Sequence, residues 1–267
     1  MDLGQAKYLL PNSLTFASVF AGFQSIHLSL TADAISDLSL AAWLLVVAMV
    51  CDALDGRVAR MTKTESDLGV QLDSLADSLS FGIAPAFLMY SWGLKTWGFW
   101  GMCFAFFFAA CAILRLARYN LLASEHSGVM RYFYGLPTPL AAGAVVSVVM
   151  AHLAVTQNIV ARSTTSVAAM SVLLGVLMVS NVRYRTFKDA NFRGRAGVNL
   201  LLLVAISAGI GLAFRPSVAF VLLMCIYILL GLGGGVFRFT RQLLGDDIED
   251  EDELGFEEDL MSEVHED

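Results

Sequence analysis

Four carboxylates dominate the chemistry this chain can offer. They lie in the stretch D-A-L-D-G-R-V-A-R-M-T-K-T-E-S-D-L-G-V-Q-L-D-S-L-A-D, which runs from Asp52 to Asp77. Asp52 and Asp55 are spaced i, i+3, and Asp73 and Asp77 are spaced i, i+4. On helices, each spacing places its pair on one face. All four fall inside or at the edge of apolar runs, so neighbouring helices would bring them to one point. Convergent carboxylates without compensation are costly in a low-dielectric interior, which implies a cation.

The donor set narrows that cation. Clustered carboxylates suit hard divalent ions such as Mg²⁺ or Mn²⁺, and the absence of a histidine partner argues against zinc. Gly56, Ala59 and Gly69 surround the acids with small residues, as the close approach of a large flat group to the backbone requires. Arg60 lies near enough along the helix to meet a phosphate. Carboxylate-held metal, a phosphate-binding cation and a spare carboxylate together point to phosphoryl transfer.

The elements that must position these residues are membrane helices. The chain is 57% hydrophobic and 15% charged, far from the balance of a soluble domain. Apolar runs near spanning length predict an all-α, polytopic membrane bundle of about eight transmembrane helices. The predicted spans are Leu14 to Leu30, Leu38 to Arg60, Leu68 to Trp92, Trp97 to Ala117, Leu140 to Val155, Val167 to Val182, Val198 to Phe214 and Val218 to Val236. A short interfacial helix over residues 1–10 is expected to stop at Pro11. The third span carries Gly69, Asp73, Asp77, Ser80 and Ala84 on one continuous face. The membrane domain is read as 1–241, and 242–267 as an acidic, disordered tail.

Charge orients the bundle. The formal net charge of −7 misleads, because 13 of the 24 acidic residues lie between Asp246 and Asp267. With eight spans, the loops on the side of the termini hold Lys7, Arg57, Arg60, Lys63, Arg115, Arg118, Arg131, Arg183, Arg185, Lys188, Arg193, Arg195, Arg238 and Arg241. The opposite loops hold only Lys95, Arg162 and Arg215. Fourteen against three places both termini and the acidic cluster in the cytoplasm, most simply at a prokaryotic cytoplasmic membrane. Cys51, Cys103, Cys111 and Cys225 show neither metal-ligand spacing nor a disulfide framework. His27 and His152 read as interhelical partners, residues 104–108 as a lipid-facing aromatic run, and Gly231 to Gly235 as a packing or span-end feature. Nothing suggests a nucleic-acid polymer as partner.

The pattern Asp52-x2-Asp55-Gly56-x2-Ala59-Arg60-x8-Gly69-x3-Asp73-x3-Asp77 resembles, without departure, the signature of the CDP-alcohol phosphatidyltransferases. That resemblance implies a six-helix catalytic core, two bound divalent cations (Mg²⁺ or Mn²⁺), a CDP-linked lipid donor within the membrane lipids, and a homodimer. It also implies that Asp52, Asp55, Asp73 and Asp77 hold the metals. Asp52, Gly56, Ala59, Arg60, Gly69 and Asp73 would then bind CDP, with Asp77 as general base. Three later stretches, Ser78 to Pro85, Arg115 to Asn120 and Gly135 to Pro139, are similar to the members of that family that take L-serine as acceptor from CDP-diacylglycerol.

On that reading serine is activated by Asp77, and its carboxylate needs a cation. Arg115 and Arg118 are the candidates, with Ser78, Ser80 and Asn120 as polar neighbours. Another acceptor alcohol, such as inositol or glycerol phosphate, and an ether-lipid donor remain alternatives. A transporter with intramembrane acids is the rival from another class. Against it, the acids lie near a span end and no repeat halves are visible.

Overall fold

A computed structural model of the protein describes residues 3–62, 64, 66–125, 132–180 and 183–185. The predicted seventh and eighth spans and the acidic tail lie outside the described residues. Helices α1 (Leu3–Leu30) and α2 (Ile35–Thr62) form an antiparallel pair. Helix α3 (Asp67–Asp77) runs on through a π-helical stretch (Ser78–Ile83), α4 (Ala84–Met89), a second π-helical stretch (Tyr90–Leu94) and a 3₁₀ turn (Lys95–Trp97). Then follow α5 (Phe99–Glu125), β1 (Tyr132–Tyr134), α6 (Thr138–Thr156), α7 (Thr164–Val179) and β2 (Arg183–Arg185).

The architecture is helical, as the hydropathy predicts. Three helices are long and apolar enough to cross a membrane by themselves: Ile35–Thr62, Phe99–Leu122 and Thr138–Thr156. The shorter Thr164–Val179 is also apolar. The expected second, fourth, fifth and sixth spans thus fall on α2, α5, α6 and α7, with end shifts of a few residues.

Four details differ from the sequence expectation. Helix α1 runs through Pro11 without a break. A proline removes one backbone donor and crowds the preceding turn, but here it does not end the helix. The third span is not uniform α-helix. Ala84 donates its N–H to the Leu79 carbonyl, five residues back, immediately before Pro85; the widened turn sits where proline denies the regular ladder a donor. A two-stranded antiparallel ribbon, with Phe133 opposite Tyr184, interrupts the all-helical plan. Finally, the aromatic run divides: Phe106 is exposed, whereas Phe108 is fully buried. Helical periodicity turns one side of such a run inward, here Ala105 and Phe108.

Small residues let the helices approach. Ala21 on α1 and Ala41, Ala42 and Ala48 on α2 are buried, and Ser25 donates to the Ala41 carbonyl at 2.9 Å. Small side chains with interhelical hydrogen bonds are what hold helices together in lipid, where apolar burial gives no driving force. Around α2 the core gathers Leu38, Leu45, Leu88, Met89, Phe108, Val145 and Val149. Gly135 takes a positive φ of 79°, and a Cβ there would collide with the Met178 carbonyl. Its glycine lets the loop lie against α7, where Leu136 donates to the Leu177 carbonyl at 3.0 Å, and so delivers Thr138 to the start of α6.

Candidate active site

The short connection between α2 and α3 turns the chain back on itself beside the acids. Thr64 donates its backbone N–H to the Ala59 carbonyl at 3.0 Å, and its hydroxyl shares a 2.7 Å hydrogen bond with Thr62. Ser66 then caps α3 by accepting from the Gly69 N–H at 3.1 Å, satisfying a donor that the first helical turn leaves open. A Cβ on Gly69 would sit 3.2 Å from that capping oxygen, so this glycine has a structural reason as well.

With the turn fixed, α2 supplies Asp52 and Asp55, and α3 supplies Asp73 and Asp77. Carboxylate oxygens of Asp52, Asp55 and Asp73 all lie within 4.8 Å of one another. Asp77 stands beside this triad, within hydrogen-bonding reach of Asp52. The donors of the triad are all carboxylate oxygens, with no nitrogen or sulfur among them. That set fits a hard divalent cation.

Arg60 folds back along its own helix and donates through Nε to the Gly56 carbonyl at 2.9 Å. Gly56 is the open point of the site: a Cβ built there meets nothing within 4 Å. The glycine therefore serves no packing need among the described residues. Ala59, half-buried, uses its carbonyl to hold the turn described above.

The residues predicted to meet the acceptor separate into two groups. Arg115 is 9% exposed. One terminal nitrogen donates to Thr138 Oγ1 at 3.1 Å, the guanidinium carbon lies 5.6 Å from the Tyr119 ring centroid, and Nε has no hydrogen-bond partner among the described residues. Its charge is close enough to act electrostatically on the Asp77 carboxylate. Asn120 donates to Ser74 Oγ at 2.8 Å, tying α5 to α3 between the two acids of α3. Arg118, three residues beyond Arg115, is exposed.

The serines point elsewhere. Ser78 donates to the Ser74 carbonyl of its own helix at 2.9 Å. Ser80 is fully buried against α1, donating to the Ser18 carbonyl at 3.1 Å. Both hydroxyls thus have helix-packing partners. The sequence reading missed Thr15, whose hydroxyl donates to Asp55 Oδ2 at 2.8 Å, and Thr138, the partner of Arg115. Thr15 begins a polar stripe with Ser18, Ser25 and Ser29 at helical spacing, and that periodicity was the available signal. Thr138 is flanked by two prolines at a helix start, which marked a turn but not its contact.

Similarity to known proteins shows the family. The family model for CDP-alcohol phosphatidyltransferase matches residues 8–182. A Helicobacter pylori protein called CDP-diacylglycerol–serine O-phosphatidyltransferase is 36% identical over 237 residues, 88% of this chain and 94% of the relative. Relatives of the same description occur in Methanocaldococcus jannaschii, 34% identical over 60% of this chain and 71% of the relative, and in Mycobacterium tuberculosis, 37% identical over 51% and 46%. The match takes in α2, α3 and α5, and with them every acid of the site, so the chain is a member of the CDP-alcohol phosphatidyltransferase family.

Proposed function

We propose that the chain transfers the phosphatidyl group of CDP-diacylglycerol to the hydroxyl of L-serine, giving phosphatidylserine and CMP. The observation that carries this reading is the carboxylate triad of Asp52, Asp55 and Asp73, with Asp77 at its side. It lies in a chain whose full-length relatives bear the name of that reaction.

The family is in general dependent on divalent metal, and Asp52, Asp55 and Asp73, with Asp77, are the residues that would hold one or two such cations. When bound, the cation supplies charge neutralisation at the diphosphate. The donor's acyl chains remain among the membrane lipids, and its CDP group lies against the open backbone at Gly56, with Asp52, Ala59, Arg60, Gly69 and Asp73 around it. Lacking a side chain, Gly56 leaves the space into which the nucleotide fits. Asp77 accepts the proton of the serine hydroxyl as its oxygen attacks the phosphorus that bears the lipid, and the bond to CMP breaks. An ordinary carboxylate is a weak base for an alcohol, so orientation of the two substrates supplies much of the rate.

Arg115 is the group we assign to the serine carboxylate. A buried guanidinium whose Nε has no partner among the described residues, and whose charge acts on Asp77, has donor capacity left for an anion beside the base. Asn120 positions α5 through Ser74. Arg118 remains an exposed cation on the same helix; Ser78 and Ser80 are assigned to packing. The cytoplasmic placement of the site is supported by the bundle's polarity. Lys95 and Arg162, from the charge-poor side, sit at one end, where Thr96 and Thr164 share a 2.8 Å hydrogen bond and Ala161 donates to the Trp92 carbonyl at 2.8 Å.

The test is an acceptor panel. Purified protein receives CDP-diacylglycerol and Mn²⁺ or Mg²⁺ with labelled serine, inositol or glycerol 3-phosphate. Label entering lipid from serine alone is the expected result. Label entering only from another alcohol would reassign the acceptor, and none from any would overturn the transferase reading.

A further inference from the structure

The first helix lies outside the Asp52 to Asp77 signature, yet it reaches the acids. Thr15 Oγ1 donates to Asp55 Oδ2 at 2.8 Å, across 40 residues of sequence, and both side chains are buried. A threonine within a helix can spend its hydroxyl on the carbonyl three or four residues back. Here it reaches across to α2. We infer that Thr15 is a positioning residue, holding the Asp55 carboxylate in the orientation that a divalent cation requires. The inference rests on reading the triad as a cation site.

Two arguments support it. Three carboxylate oxygens within 4.8 Å of one another repel, so each needs a restraint if the set is to stay converged before a cation arrives. Thr15 provides that restraint for Asp55, the most buried of the cluster with 5% exposure, by occupying one oxygen and so fixing the plane of the other. The helix that carries Thr15 is itself held firmly. Ser18, one turn on, donates to the Ala48 carbonyl at 3.1 Å and accepts the Ser80 hydroxyl at its own carbonyl. Next along the same face, a Cβ on Gly22 would lie 2.9 Å from Ser80 Oγ and 3.0 Å from Ser80 Cα. A hydrogen-bond donor on so closely seated a helix is pre-organised, and groups that orient metal ligands in this way commonly change metal affinity 10- to 100-fold, on the order of magnitude seen for outer-shell partners.

The experiment is a titration of purified, substrate-free protein with Mn²⁺, following free ion by electron paramagnetic resonance. Thr15→Val, which keeps the shape and removes the donor, is expected to weaken binding about 10-fold or more, and Thr15→Ser to stay within about 3-fold of wild type. CMP release by Thr15→Val should fall at low Mn²⁺ and recover when the ion is saturating. Ser18→Ala, a change in the same seam, should lower thermal stability without moving Mn²⁺ affinity, which separates positioning from packing. If valine disturbs folding, judged by gel filtration, Thr15→Ala makes the same comparison. Wild-type affinity in a folded Thr15→Val or Thr15→Ala variant overturns the inference. Failure of the wild-type protein to bind Mn²⁺ would instead sink the cation site itself.

Discussion

Two glycines on consecutive helical segments show how the ends of this bundle differ. At Gly56, beside the acids, a methyl group would touch nothing within 4 Å. At Gly93, at the other end of the described bundle, it would lie 2.7 Å from Val167 Cγ2 and 2.8 Å from the Ala161 Cβ. Gly93 is small because α7 and the loop before it fill its space. Gly56 is small although no described residue does. The far end is closed by the protein's own atoms: Trp92 Nε1 donates to His152 Nδ1 at 3.1 Å, and Thr96 meets Thr164. The acidic end keeps an exposed, uncovered glycine, a converged set of carboxylates and an arginine nitrogen with no partner among the described residues. Uncovered backbone and unspent polar groups at one end of a bundle are what a binding site costs a folded chain.

Substitutions can break this contrast. The largest effect is expected for Asp77→Asn, which removes the proposed base: turnover should drop about 10³-fold, with donor binding, measured by CDP-lipid titration, changed far less. Near-normal turnover would refute the role. Next, Gly56→Ala should cost activity on the order of 100-fold by intruding on the donor, while the melting temperature in detergent stays within a degree or so of wild type. A loss of stability with unaltered donor KM would show that Gly56 is a packing residue after all. Gly93→Ala should do the reverse. Overpacking of this kind costs about 2 kcal/mol, so the midpoint of unfolding falls while the activity of the folded fraction is retained. The smallest change is Trp92→Phe, which deletes the bond to His152 and should cost about 1 kcal/mol, again without a change in serine KM.

Much of the acidic end was legible in the sequence because its residues are local and periodic. Asp52 and Asp55 share a helix, as do Asp73 and Asp77, and a short polar turn joins the two, so spacing alone brings them together. The extent of α2 was also readable: the expected span, Leu38 to Arg60, lies inside the observed Ile35–Thr62. What spacing cannot reveal is which helix packs on which. Thr15 is one hydroxyl in an apolar run until α1 is laid against α2. Ser80 shares a face with Asp73 and Asp77 in a regular α-helix. The π-helical turn over Ser78–Ile83 changes that register, and Ser80 instead meets Ser18 of α1. Hydropathy does not distinguish a π turn from an α turn, and Pro85 was the sole local hint. Phe108 likewise follows the burial of its helix face rather than the lipid preference of its neighbours.

The central claim is that the acidic end moves a phosphatidyl group from CDP onto serine. Its most direct measurement is the ratio of CMP released to serine incorporated, followed together with purified protein, CDP-diacylglycerol and Mn²⁺. The account predicts that the two appear in equal amounts, that neither appears without serine, and that both vanish in Asp77→Asn. CMP release that continues undiminished without serine, or serine-dependent release with no serine in the lipid, would contradict it.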